Sequence, residues 1–172
     1  MKRVLKTLAY VVVLVAALVV LLVAAGQLGM LAGHAPTDLG VKDGRLKPPS
    51  LTPNSVSSQA ALYPDNPQHT YAEVAPFKYT GDGRAAMARL AGIVKAMPRT
   101  IIVKDEPGYL YAQCSTRLLG FTDDLEFYLD EKAGVIQVRS ASRLGKGDLG
   151  VNRARVEALR RQFGQGMTPL HK

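Results

Sequence analysis

The chain has few of the residues that build disulfides, zinc sites and thiol-based active sites. Its 172 residues include no tryptophan, three histidines and a single cysteine. Cys114 has no partner for an intrachain disulfide, so the fold does not depend on oxidation. Its place in a predicted strand favours a small core side chain over a reactive thiol. Because phosphate-binding glycine loops, GxSxG motifs and zinc-ligand spacings are also missing, we expect no cofactor and no metal.

Acidic residues are scarce relative to basic ones, and the formal net charge is +8. The excess is large in residues 143–172, where two acids accompany a larger set of bases. These bases are Arg143, Lys146, Arg153, Arg155, Arg160, Arg161 and Lys172. Such a segment is typical of a surface that meets anionic lipid, a cell-wall polymer or an acidic envelope protein, and the alternative is a solvated helix face. Nucleic-acid binding is not expected, since no aromatic residues are interleaved with the bases.

One long hydrophobic run lies near the N-terminus. Leu8–Ala25 contains eighteen residues without a charge, which corresponds to about 27 Å of helix and nearly spans a bilayer core. Because Lys2, Arg3 and Lys6 precede it, the positive-inside rule predicts a cytoplasmic N-terminus and a periplasmic or otherwise extracytoplasmic C-terminal domain. A cleaved signal peptide is the alternative, but its apolar run is usually about 7–15 residues. The pattern therefore favours an uncleaved signal anchor in the cytoplasmic membrane.

Composition divides the chain into four segments. These are a signal anchor or transmembrane helix at 1–33, a Pro-rich linker and extended arm at 34–76, an α+β domain at 77–163 and a C-terminal tail at 164–172. Proline rules out a long helix in the arm. Val56, Ala60 and Leu62 nevertheless give the arm apolar side chains to bury against the domain.

Hydrophobic periodicity predicts the elements of the domain. A helix begins at the N-cap Asp82 and ends at Pro98, and a second helix runs from Asp148 to Phe163. Between them, four strands are predicted at residues 99–104, 109–115, 121–129 and 135–142. The predicted fold is α+β, with a transmembrane helix followed by a four-stranded antiparallel meander that is flanked by two helices.

The last two predicted strands bring polar residues together at one edge of the sheet. Their pairing places Glu126 opposite Arg139. The residues that converge beyond this pair are Asp123, Asp124, Ser140, Ser142, Arg143, Asp148, Asn152 and Arg153. They suit an anion pocket with Asp123 or Asp124 as general acid or base, or a site for a hard cation. They also suit a structural network in which Asp123 or Asp124 pairs with Arg143 or Arg153 and Asp148 caps the last helix, which we prefer to catalysis.

The segment GFTDDLEFYLDEKAGVIQVRSASRLGKGDLGVNRARVEALR resembles a bacterial envelope family, domain of unknown function 1499 (DUF1499). TPNSVSS, at 52–58, resembles the N-terminal motif of the same family. The resemblance covers roughly residues 44–163 and implies a membrane-anchored protein or lipoprotein, with no reaction assigned. Ser55 stands where the family motif usually has cysteine, so a thiol role at that position is not implied here.

Together these features predict a membrane-anchored binding or structural module of the cell envelope rather than an enzyme. The alternative is a small envelope hydrolase or lyase that uses an edge made of Asp123, Asp124, Arg139, Ser142 and Arg143.

Overall fold

The computed structural model describes residues 1–165 and begins with the long helix that the hydrophobic run predicted. This helix, α1, spans Lys2–Gln27. Its mean hydropathy reaches 3.1, and none of its most apolar window is buried within the protein. It is therefore a candidate membrane span, and a signal sequence would have the same properties. Of the predicted tail 164–172, residues 166–172 lie outside the described part.

The remaining elements follow in the order strand, 3-10 helix, helix, strand, helix, four strands, helix. They are β1 Ser55–Ser57, a 3-10 helix Ala60–Leu62, α2 His69–Ala72, β2 Phe77–Lys78, α3 Gly83–Lys95, β3 Thr100–Glu106, β4 Tyr109–Ser115, β5 Thr122–Asp130, β6 Val135–Ser142 and α4 Val151–Gln165. The predicted N-cap of α3 is confirmed, since the Asp82 carboxylate accepts a hydrogen bond from the Arg84 amide at 2.9 Å.

The domain combines an antiparallel sheet with helices, so the predicted α+β class is confirmed. The predicted number of four strands is wrong. The described residues form six strands in the order β1-β6-β5-β4-β3, with β2 also paired to β6. The two extra strands come from the Pro-rich stretch and its boundary. Their three and two residues are too short to show an alternating pattern, and they are strands because the edge of β6 supplies their hydrogen bonds.

The four longer strands form the predicted meander, and the register of its last hairpin is confirmed. Glu126 lies opposite Arg139, and Phe127 lies opposite Val138. Because side chains alternate along a strand, one face of β5 and β6 is apolar and the other is polar. We call them the helix face, which α3 and α4 cover, and the polar face.

The main core lies between the helix face and helices α3 and α4. Phe77, Phe127 and Phe163 meet there edge to face, with ring centroids 5.6 and 5.7 Å apart. Cys114 is buried in this core, and burial raises the pKa of its thiol. This placement confirms the prediction of a core side chain. Val56 and Ala60 are buried as predicted, whereas Leu62 is exposed.

Candidate functional site

Two acid–arginine pairs lie side by side on the polar face of the sheet. Arg143 approaches Asp124 to 2.7 Å, and Arg139 approaches Glu126 to 3.4 Å. The first pair is bidentate, because Nε and Nη2 of Arg143 donate to both oxygens of Asp124. All four side chains are nearly inaccessible to solvent, with exposed fractions of 6% or less. Each carboxylate therefore has its countercharge in direct contact.

Two tyrosines of β4 complete the coordination of these carboxylates. The Tyr109 hydroxyl donates to Glu126 at 2.8 Å, and the Tyr111 hydroxyl donates to Asp124 at 2.6 Å. Burial raises the pKa of both tyrosines, and the adjacent carboxylates raise it further. Both hydroxyls consequently stay protonated and act as donors across the physiological range.

Residues 39–48, here called the covering segment, close the polar face over this network. The Gly40 amide donates to Glu126 at 3.0 Å, and Arg139 Nε donates to the Pro48 carbonyl at 3.3 Å. Leu46 is buried against Tyr109 and Tyr111. The covering segment thus forms hydrogen bonds with the side chains of Glu126 and Arg139, and it shields the ion pairs from water.

A second polar cluster lies on the helix face, where α4 meets β6. Asp123 pairs with Arg155 of α4 at 2.5 Å. Ser140 donates to the Asn152 side-chain oxygen at 2.6 Å, and the Asn152 side-chain amide donates to Ser142 at 2.9 Å. These contacts join the end of the sheet to the first turn of α4, so Asp123 and Asp124 serve opposite faces although they are adjacent in sequence.

Asp148 fixes the start of α4, as predicted, although the helix itself begins at Val151. Its carboxylate accepts hydrogen bonds from the amides of Gly150 and Asn152 at 3.0 and 3.1 Å and from the Tyr71 hydroxyl at 2.7 Å. Burial alone would raise the pKa of Asp148. The hydrogen bonds from Tyr71 and the two amides outweigh burial and hold the pKa below its ordinary value.

The arginines of α4 bind the backbone of the preceding segment. Arg153 donates to the carbonyls of Tyr71 and Glu73, and Arg160 donates to those of Ala75 and Pro76. Guanidinium groups suit this task because they offer several donors in a fixed plane. Two of the arginines of this helix, Arg153 and Arg160, therefore hold residues 71–76 in place.

The structure brings the candidate residues into three groups rather than one. Asp124, Glu126, Arg139 and Arg143 share the polar face, whereas Asp123, Ser140, Ser142, Asp148 and Asn152 share the helix face, and Arg153 is separate. Asp124 pairs with Arg143, one of its two predicted partners, whereas Asp123 pairs with Arg155, which was not predicted.

Sequence reasoning missed Tyr109, Tyr111 and Arg155. The two tyrosines carried a usable signal, because they alternate on the strand that pairs with β5. Arg155 carried a weaker one, since it follows Asn152 by three residues on the same helix face.

A cavity with a volume of about 460 Å³ reaches the acid–arginine pairs of the polar face. Asp124, Arg139 and Arg143 line it together with Lys47 and His34. Within residues 1–165, no group of three or more His, Cys, Asp or Glu side chains is placed to hold a metal ion. The cavity therefore offers guanidinium and ammonium donors beside carboxylates that are already paired.

Comparison with protein families adds one relationship. Residues 45–163 match the model of DUF1499, a family described as proteins of unknown function. No curated protein and no solved structure matches the chain. The matched segment runs from the covering segment to the last turns of α4, and so includes both polar clusters. Since it makes up more than half of the sequence, the chain belongs to the DUF1499 family.

Proposed function

We propose that this protein is a single-pass membrane protein that holds a non-enzymatic binding or structural module on the outer side of the cytoplasmic membrane. The observation that carries the proposal is the apolar surface of α1, which no other part of the described protein covers in its most apolar window. Exposed aliphatic side chains cost about 25 cal/mol per Å² in water, so a helix this apolar belongs in lipid. The cations at Lys2, Arg3 and Lys6 favour retention of the N-terminus in the cytoplasm.

The state of the carboxylates supports a module without catalysis. A general acid or base must come within hydrogen-bonding reach of its substrate. Asp124 and Glu126 are 2% and 0% exposed, and arginine and tyrosine groups already occupy their oxygens. Such a network stabilises the domain more readily than it transfers protons.

A second candidate function, a small envelope hydrolase or lyase, is favoured by the cavity that Asp124, Arg139 and Arg143 line. Its substrate would carry an anionic group for the arginines to hold. This candidate requires that Asp124→Asn abolish the cellular phenotype of the protein while the melting temperature stays nearly unchanged. A large loss of stability in this variant would support the structural role instead.

Cysteine labelling tests the membrane topology. In intact cells, a membrane-impermeant maleimide should label Ala133→Cys, which lies in the exposed turn between β5 and β6. It should label Val4→Cys, which keeps all three N-terminal cations, only after the cells are permeabilised. The unmodified protein is the control, because its one cysteine is buried. The labelled chain should resist carbonate extraction and retain its N-terminal residues in a mass spectrum. Labelling of Val4→Cys but not Ala133→Cys in intact cells would refute the proposal.

A further inference from the structure

The end of α1 is attached to the domain through the loop between β4 and β5, residues 116–121. The Gln27 side-chain amide donates to the carbonyls of Arg117 and Leu118 at 3.0 and 2.9 Å. The backbones of Gly26 and Gly120 also meet so closely that a Cβ atom on either residue would collide with the other segment. The domain is therefore seated on the last turn of the helix.

This contact sets the depth of the loop relative to a bilayer. The apolar run Leu8–Ala25 accounts for about 27 Å, which is close to the thickness of the hydrocarbon core. Gly26 and Gln27 then lie where the hydrocarbon meets the head groups. Since the loop touches these two residues, it lies at the same level.

Several exposed apolar side chains lie at this end of the domain. Leu118 is 63% exposed in the β4–β5 loop, and Leu144 and Leu149 protrude from residues 143–150, the β6–α4 loop. Leu149 is fully exposed and has a φ of 52°, an unfavourable conformation for a leucine. Phe121, Leu144 and Leu149 line one cavity of about 310 Å³, which shows that the two loops are neighbours. Grouped exposed apolar residues mark a contact surface.

The charges of the two loops match an anionic lipid surface. Arg117 and Lys146 are exposed, whereas Asp148 is buried in its hydrogen bonds. Residues 116–121 and 143–150 contain no other acid. Basic residues beside inserted apolar side chains are the usual pattern of a protein that rests on phospholipid head groups.

We propose that the β4–β5 and β6–α4 loops form a second membrane contact, in which Leu118, Leu144 and Leu149 enter the head-group region beside the end of α1. This inference rests on the proposed membrane anchor. It assigns the exposed leucines to the lipid of the leaflet from which α1 emerges. The domain would consequently lie against the membrane in one orientation rather than swing freely on a linker.

The absence of tryptophan allows a direct test with single-tryptophan variants of the full chain. The variant Leu149→Trp is reconstituted into vesicles of phosphatidylcholine and phosphatidylglycerol, with and without lipids brominated near the head group. Its emission should shift to the blue and be quenched by the brominated lipid. Ala133→Trp is the matched control, because Ala133 follows the far end of β5, a nine-residue strand that is about 26 Å long. The emission of this variant should neither shift to the blue nor be quenched.

A third variant separates failure of the inference from failure of the anchor. Leu14→Trp, in the middle of α1, should be quenched by lipids brominated deep in the acyl chains. If Leu14→Trp is quenched but Leu149→Trp is not, the second contact is wrong and the anchor stands. If Leu14→Trp is not quenched, the anchor itself is wrong.

Two further outcomes distinguish a lipid surface from a second copy of the chain as the partner of these leucines. Addition of Arg117→Ser and Lys146→Ser to the Leu149→Trp variant should weaken its quenching in vesicles that contain phosphatidylglycerol. A blue shift without quenching, which grows as protein is added to a fixed amount of lipid, would mean that a second copy of the chain covers this surface. That result would overturn the proposal.

Discussion

At the scale of single residues, the main feature of this protein is that three buried carboxylates, Asp123, Asp124 and Glu126, each contact an arginine. The Asp124–Arg143 pair is the clearest case, since two parallel hydrogen bonds and the Tyr111 hydroxyl hold it. Removal of one member of a buried pair leaves an isolated charge in a medium of low polarity. The stability of the domain is therefore expected to depend on both members.

Asp124→Asn should lower the free energy of unfolding by about 3–5 kcal/mol, because it leaves Arg143 buried without its countercharge. The double variant Asp124→Leu, Arg143→Met should recover most of that loss, since it removes both charges. Urea unfolding of the detergent-solubilised full chain measures both effects. Glu131→Gln, in the exposed β5–β6 turn, is the matched control and should change stability by less than about 0.5 kcal/mol. Unchanged stability in Asp124→Asn would contradict the structural role.

Asp148 should make stability depend on pH in the acid range. Because its pKa is lowered in the folded state, ionised Asp148 stabilises the fold above the ordinary pKa of 3.8. This contribution is lost as the pH falls through the lowered pKa of the folded state. The difference in stability between the unmodified chain and Asp148→Asn should thus be constant near neutral pH and shrink in acid.

Thermal unfolding at a series of pH values measures this difference for Asp148→Asn. Tyr71→Phe is the control for a single lost hydrogen bond, and it should cost less stability than Asp148→Asn at neutral pH. If the difference in stability between the unmodified chain and Asp148→Asn grew in acid, the ionised form of Asp148 would not be what stabilises the fold.

The residues of the candidate site could be predicted from sequence only where they are local. Glu126 and Arg139 lie across one hairpin, and the length of the turn and the apolar alternation fix their register. Asp123 and Arg155 are 32 positions apart and meet only because α4 folds back onto β6. No local pattern spans that distance, and the predicted partners of Asp123, Arg143 and Arg153, did not include Arg155.

At the scale of elements, the long strands and helices are readable from sequence and the short ones are not. Apolar and polar residues alternate in β5 and the first half of β6, and β3 and β4 are recognisable from their β-branched and aromatic residues. By contrast, β1 and β2 are too short to show a period. The contact between α1 and the β4–β5 loop was also beyond prediction, because it depends on two glycines 94 positions apart.

Gly120→Ala should separate α1 from the β4–β5 loop without disturbing the core. A methyl group at this position would collide with the Gly26 carbonyl, and the φ of 62° adds strain of roughly 1–2 kcal/mol. Gly29→Ala controls for that strain, since Gly29 also has a positive φ but has open space around it. Amide hydrogen exchange at Thr116 and Phe121, whose amides are hydrogen-bonded across this loop, should become faster in Gly120→Ala and stay unchanged in Gly29→Ala. Equal exchange in both variants would show that the contact does not hold the loop.

At the scale of the whole molecule, the membrane helix and the folded domain depend on different surroundings. None of the most apolar window of α1 is buried within the protein. The buried residues of the domain, by contrast, come from the chain both before and after residue 77. Leu46, Val56 and Val74 are nearly inaccessible, although all three precede the predicted start of the domain. The folding unit is thus expected to begin well before residue 77.

Truncation tests where the folding unit begins. A chain that starts at residue 34 lacks α1 but keeps the covering segment and β1, and it should unfold cooperatively near the melting temperature of the full chain. A chain that starts at residue 77 loses three large buried side chains, each worth about 1.5–3 kcal/mol, and uncovers the Glu126–Arg139 pair. Since domains of this size are stable by only about 5–15 kcal/mol, this chain should not fold.

A chain that starts at residue 51 lies between these two and isolates the covering segment. It keeps β1 but loses Leu46 and the Gly40 hydrogen bond to Glu126. It should fold with a lower melting temperature, because water then reaches the two acid–arginine pairs of the polar face. Circular dichroism and thermal unfolding of the three chains distinguish these states. If the chain from residue 77 unfolds cooperatively, the predicted boundary at 77 is correct, and the covering segment is an appendage rather than part of the fold.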